Sequence, residues 1–238
     1  MRLRSRDGVA GSLVGLGVLA AASPAVTAVG PLRRRVAPRL AGASSGSHMA
    51  LTFDDGPDPA STPAFLDLLA RHDRRATFFV LGIQAQETPS LLRRMVDEGH
   101  EVAVHGWRHR CTAVSPPTQL LRELRAARHV VEDVTGQSPS WYRPPYGVMS
   151  AEAWLASREL GLAPVLWTAW GRDWERSATP GRIVSTVLRT LRPGGTILLH
   201  DTDLHGRGDW RRSCEATARL LSGALARSEV GPLRDHWR

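Results

Sequence analysis

Two adjacent carboxylates, Asp54 and Asp55, close an apolar run in Thr52-Phe53-Asp54-Asp55-Gly56-Pro57. Neighbouring like charges repel, and a strand gains nothing from carrying both at its tip. The pair suits chemistry in which one carboxylate holds a metal and the other moves a proton. His105 and His109 follow in His-Gly-Trp-Arg-His. Their i, i+4 spacing places both imidazoles on one face of a helical turn. Two histidines and a carboxylate make a three-ligand set with positions left for water and substrate, as in catalytic zinc sites. Downstream lie Arg143 in Arg-Pro-Pro-Tyr-Gly, Asp173-Trp174, and Leu198-Leu199-His200-Asp201. Pro144 and Pro145 stiffen the loop that carries Arg143. A guanidinium aimed at a carboxylate favours its ionised form. His200, closing a strand, reads as a general acid. Blander roles stand beside these: either Asp caps the turn, Arg143 is a surface charge, and Trp107 and Trp174 suit a core as well as a sugar face. His72, His100 and His129 have no such company and read as surface residues; Asp203 and His205 receive no role.

Short β-type runs that alternate with amphipathic helical stretches must position these groups. Strands are expected at 50–53, 76–80, 101–104, 141–143, 164–168 and 196–199. Helices are expected at 63–71, 89–98, 117–134, 151–160, 180–191 and 213–226, with Gly99, Gly136, Gly161 and Gly194 as stops. Repeated strand–helix units imply a parallel sheet, and near-continuous apolar strands imply one covered on both faces. Asp54-Asp55, His105, Arg143, Asp173 and His200 all fall at or just after strand ends. In a (β/α) barrel those ends form one rim, where active sites are built. The expected fold is α/β: a distorted, incomplete (β/α) barrel with six or seven parallel strands, with no repeat and no second domain.

The net charge of +8 and pI of about 11.1 invite a nucleic-acid reading, but the charge is uneven. The first 47 residues hold seven arginines against one acid, Asp7, and so carry six of the eight net positive charges. The remainder is nearly neutral and needs no polyanion partner. Every cation is arginine; there is no lysine. A basic start, an apolar run over about 9–28 and small residues after it suggest an export signal or a membrane anchor over 1–30. Arg33-Arg34-Arg35 resists translocation and fits neither cleanly. Residues 31–47, Ala/Gly/Ser-rich from 37, read as a linker, and 48–238 as the catalytic domain. Cys111 and Cys214 either pair or remain two inert thiols.

The motifs together resemble the polysaccharide deacetylases with a NodB homology domain, carbohydrate esterase family four, over about Met49–Arg219. Thr-Phe-Asp-Asp-Gly-Pro, His-Gly-Trp-Arg-His, Arg-Pro-Pro-Tyr-Gly, Arg-Asp-Trp and Leu-Leu-His stand in the order of the family's five motifs. The resemblance implies a divalent metal, commonly zinc and sometimes cobalt, on Asp55, His105 and His109. It implies Asp54 as base paired with Arg143, His200 as acid tuned by Asp173, the Tyr146 N–H as oxyanion donor, and Leu198 with Trp174 as the acetyl pocket. Gly106 departs from the family's usual Ser or Thr, which is expected to loosen the turn between the histidines. The implied activity is N-deacetylation of an N-acetylglucosamine polymer, chitin-like or peptidoglycan. O-deacetylation of xylan and a catalytically silent glycan-binding protein are the alternatives. The expected protein is a monomer, secreted or anchored outside the cytoplasm. It touches membrane only through its N-terminal segment and binds no nucleic acid.

Overall fold

The structure, a computed structural model, describes residues 30–237. The expected signal or anchor therefore lies almost wholly outside the described residues. Among the described residues, no helix is long and apolar enough to cross a membrane.

One sheet contains β1 (Met49–Asp54), β2 (Thr77–Leu81), β3 (Glu101–Gly106), β4 (Trp141–Tyr142), β5 (Ala163–Pro164), β6 (Ala169–Trp170), β7 (Thr196–His200) and β8 (Val230–Gly231). Its order is β5-β4-β3-β2-β1-β7-β6, with β8 beside β1 off that path. Every pairing is parallel. The seven-strand path curls into an incomplete barrel, as the strand–helix alternation predicts. All six residues of β1 are buried, because β2 and β7 flank it and side chains cover both faces. Phe53 stacks on Phe78 at 5.2 Å and meets Phe65 edge-on.

The helices are α1 (Gly30–Val36), α2 (Thr62–Arg71), α3 (Gly82–Glu87), α4 (Pro89–Asp97), α5 (Pro117–Thr135), α6 (Ala151–Glu159), α7 (Pro180–Thr190) and α8 (Trp210–Ser222). In α5, Leu120, Leu124, Ala127 and Val131 are buried at helical spacing. Each leucine of such a stripe contributes about 1.5–3 kcal/mol relative to exposure. The short α3 was not expected; it lacks a readable apolar period. It starts at Gly82, where a β-carbon would stand 2.5 Å from Trp107 and 2.9 Å from Ala127, so α5 approaches closely only because the side chain is absent.

Three expectations change. The run 164–168 is not one strand. Its start belongs to β5, and its end leads into β6. The stretch between them crosses the open seam, since β5 and β6 are the two edges of the sheet. The segment 37–47 is not free either. Leu40 and Ala41 are buried. The Leu166 N–H donates to Leu40 O at 2.7 Å, and the Thr196 hydroxyl donates to Gly42 O at 2.7 Å. A composition suited to a flexible linker here serves close packing against the seam. Cys111 and Cys214 are both free thiols.

His100, expected at the surface, is 3% exposed. Its Nδ1 accepts from the Ala76 N–H at 3.2 Å, a bond that requires an unprotonated nitrogen. Burial, opposed by Glu98, pulls its pKa down to about 4. Between pH 6.5 and 4 the unfolded chain binds a proton that the folded chain refuses, so stability falls as pH falls through that window. The full effect, below the folded pKa, is at most about 3 kcal/mol. His100→Gln is expected to flatten the decline in urea midpoint between pH 7 and pH 5; an unchanged decline would remove His100 from the account.

Candidate active site and metal centre

Asp54 is the last residue of β1, and Asp55 follows with φ 80°. Successive strand residues point to opposite faces. The left-handed backbone at Asp55 breaks that alternation, and both carboxylates line one cleft of about 230 Å³. The cleft also takes in His105, His109, Tyr146, Trp174, Leu198 and His200.

His105 lies in β3 and His109 in the bend after it. The pair is therefore not on a helical turn; a chain reversal beginning at Gly106 brings the rings to 5.4 Å. Gly106 has φ 108°, and a β-carbon there would meet Arg108 O at 3.6 Å and Pro145 Cγ at 4.0 Å, ordinary contacts. Glycine thus supplies the conformation rather than loosening it. Gly106→Ser is expected to lower stability by about 1–2 kcal/mol through backbone strain alone, read as a fall in urea midpoint; a rise would show that the turn relaxes without cost.

His105 Nε2 and His109 Nε2 stand 3.2 and 3.3 Å from Asp55 Oδ1. That oxygen is buried and has no hydrogen-bond donor. The reason lies behind the rings. His105 Nδ1 is 2.9 Å from Arg143 O and donates to it, which leaves Nε2 as a lone pair. Burial pulls His109 down to about 4, against the pull of Asp55, so that ring is neutral near pH 7. With Nδ1 carrying the proton in each ring, two nitrogen lone pairs would face a carboxylate oxygen, and the ligand atoms lie within 4.8 Å of one another. Such a set repels itself until a cation enters, so these residues fit a divalent metal.

Arg143, fully buried, donates from Nη1 to Asp54 Oδ1 at 2.7 Å and to Thr52 Oγ1 at 2.8 Å. From Nη2 it donates to Leu166 O at 3.0 Å. Its guanidinium carbon is 4.0 Å from the centroid of Phe79. Asp54 Oδ2, not engaged by Arg143, lies 3.9 Å from His105 Nε2.

On the opposite wall, Asp173 Oδ1 pairs with His200 Nδ1 at 3.0 Å. Asp173 Oδ2 accepts from the His200 N–H at 2.8 Å and the Ser213 hydroxyl at 2.7 Å. Burial works against a charged His200, but Asp173, by charge and hydrogen bond, outweighs it and lifts the pKa to about 10. Trp174 meets the His200 ring edge-on at 5.4 Å, and Leu198 forms part of the floor. Tyr146 holds φ 60° in the turn Pro145–Gly147, with its ring against His109 at 4.4 Å. Every expected site residue reaches this one cleft or, for Arg143 and Asp173, supports it from behind.

Residues 41–165 match the family model described as polysaccharide deacetylase. The chain belongs to the polysaccharide deacetylase family. As such it is a hydrolase of amide bonds. A chitooligosaccharide deacetylase of Bradyrhizobium sp. (strain ANU 289) is 42% identical over 170 residues, 71% of this chain and 76% of that protein. The peptidoglycan-N-acetylglucosamine deacetylase PgdA of Listeria monocytogenes is 36% identical over 165 residues, 69% of this chain and 34% of that longer protein. The solved peptidoglycan deacetylase PdaC from Bacillus subtilis superposes with a TM-score of 0.71 at 30% identity, covering 81% of this chain and 90% of that one.

Several residues of this deacetylase site were not read from the sequence. Ser213 and Thr52 hold Asp173 and Arg143 through contacts between distant segments. His205 stacks on His109 at 4.8 Å. Trp167 and Trp170 also line the cleft; their spacing with Trp174, three then four residues, was the available signal.

Proposed function

We propose that this chain removes N-acetyl groups from N-acetylglucosamine residues of a polysaccharide, using a divalent cation, zinc before cobalt, held by Asp55, His105 and His109. One observation carries the reading. Two proton-handling groups with opposite counterions, Asp54 on Arg143 and His200 on Asp173, flank the same three ligand atoms. When bound, the cation supplies Lewis acidity toward the acetyl carbonyl and acidifies water. Asp54 Oδ2 takes the proton of the attacking water; Arg143 fixes that carboxylate in one orientation. The left-handed turn at Tyr146 presents a backbone N–H to the developing oxyanion. His200 Nε2 gives its proton to the departing amine, held in the correct orientation by Asp173 on the other nitrogen. Leu198 and Trp174 bound the acetyl group and keep water from competing sides. A polymer of this kind lies outside the cytoplasm, in keeping with an export signal or anchor over residues 1–30.

The test is acetate release from chitooligosaccharides, peptidoglycan and acetylated xylan, after chelation and after reloading with zinc or cobalt. Metal-restored release from a glucosamine polymer supports the amidase, whereas release from xylan alone replaces it with an O-acetyl esterase. Asp173→Asn removes the charge that lifts the His200 pKa. An acid must be protonated to act, so the alkaline limb of the rate profile moves to lower pH, and kcat falls roughly a hundredfold. An alkaline limb that stays in place in the variant removes His200 as the acid.

A further inference from the structure

The arginines at 33 and 34, which the deacetylase chemistry leaves unused, sit at the end of a groove. Beside the catalytic cleft is a second hollow of about 380 Å³. The two share Tyr146, Gly147, Trp167 and Trp170 as walls, so they adjoin. Three half-buried tryptophans run along them: Trp174 to Trp170 at 5.3 Å, and Trp170 to Trp167 at 5.8 Å. Aromatic faces with polar edges suit the alternating apolar and hydroxyl surfaces of sugar rings.

The far end of this ridge is cationic. Arg33 donates to Trp167 O at 2.7 Å, and its guanidinium lies 5.9 Å from the ring of the same tryptophan. Arg34 is exposed, reaches Thr168 O at 3.4 Å, and makes no ion pair among the described residues. A neighbouring hollow, again lined by Arg34, adds Arg189 and Arg192. Burial, then the charges of Arg34 and Arg143, pull Arg33 down to about 10, so these cations crowd one another. Arginine is the side chain best shaped to receive a carboxylate.

We infer that the hollow between Trp167 and the Arg33–Arg34 pair is an anion-accepting glycan subsite. It takes a carboxylate carried near the N-acetylglucosamine that is deacetylated. The substrate is then an acidic N-acetylglucosamine polymer of the peptidoglycan type rather than a neutral chitin type. This rests on the deacetylase reading above and adds the substrate's charge to it.

The experiment uses the full chain. Affinities for chitotetraose and for peptidoglycan strands of equal length, with and without stem peptides, are measured by calorimetry on chelator-stripped protein. Acetate release from the same glycans is measured on zinc-loaded protein. The carboxylated strands are expected to bind about five- to tenfold more tightly. Arg34→Glu is expected to bring the ratio of the two affinities close to one, and Arg34→Gln to lower it partway. High salt should weaken the preference as well. A preference present without stem peptides assigns the carboxylate to the sugar's lactyl group; one that requires them assigns it to the peptide. Equal affinity for neutral and carboxylated glycans, or a preference that survives charge reversal at Arg34, overturns the subsite. Acetate released from both without preference overturns the subsite alone, and preferential binding without any acetate overturns the deacetylase reading alone.

Discussion

Replacing Asp54 with asparagine is expected to lower kcat by roughly 10²- to 10⁴-fold on any glycan the protein deacetylates. The amide keeps an oxygen for Arg143, so the position of the side chain is preserved. What is lost is the proton acceptor at Oδ2, 3.9 Å from His105 Nε2. The variant also leaves a buried guanidinium without its carboxylate, so it should melt earlier than the parent. Rate and stability therefore need separate readings: turnover per folded, zinc-loaded molecule, and the urea midpoint. Activity within threefold of the parent would transfer the base to another group. Full loss of activity with zinc stoichiometry unchanged separates Asp54 from the neighbouring Asp55, whose replacement removes a ligand instead.

Arg143→Met should have the largest effect on stability, a loss of about 3–5 kcal/mol. Methionine fills some of the volume but strands Asp54, a buried carboxylate, and leaves Leu166 O without its donor. Arg143 thereby serves two ends. It fixes the proposed base, and it ties the curl of the sheet together, because Asp54 is on β1 and Leu166 is in the stretch between the two edges. Arg143→Lys keeps the charge but cannot reproduce three planar donors. It is expected to recover part of the stability and little of the activity. A change below about 1 kcal/mol in Arg143→Met would show that the ion pair contributes no more than an apolar replacement does.

The residues proposed to do chemistry were legible because most stand at or just after a strand end, where local sequence records both the strand and its stop. Asp54, His105 and His200 close apolar runs, and reading those runs was enough to bring them to one rim. Helix stops were legible for a similar local reason: Gly99, Gly136, Gly161 and Gly194 all have positive φ. What escaped was set by distant contacts. His100 follows a glycine and precedes a charged residue, a surface-like neighbourhood, yet the Ala76 N–H and the Phe78 ring claim it. The helical reading of His105 and His109 failed because i, i+4 spacing also fits a strand end followed by a tight reversal, which Gly106 permits. Residues 164–168 looked like one strand because apolar content does not report which neighbour each end will pair with.

The closing of the seam by residues 40–42 has a consequence for what counts as this enzyme's smallest working unit. Motif reading places its beginning at the first strand, near Met49. The hydrogen bonds of Leu40 and Gly42 place it earlier, since Leu166 offers its carbonyl to Arg143 and its N–H to Leu40. A change in the stretch ahead of the first strand is therefore felt, three hydrogen bonds later, by Asp54, the carboxylate proposed as the base. The approach to the domain thus belongs to the same hydrogen-bonded unit as the proposed base, and its packing bears on a site it never touches.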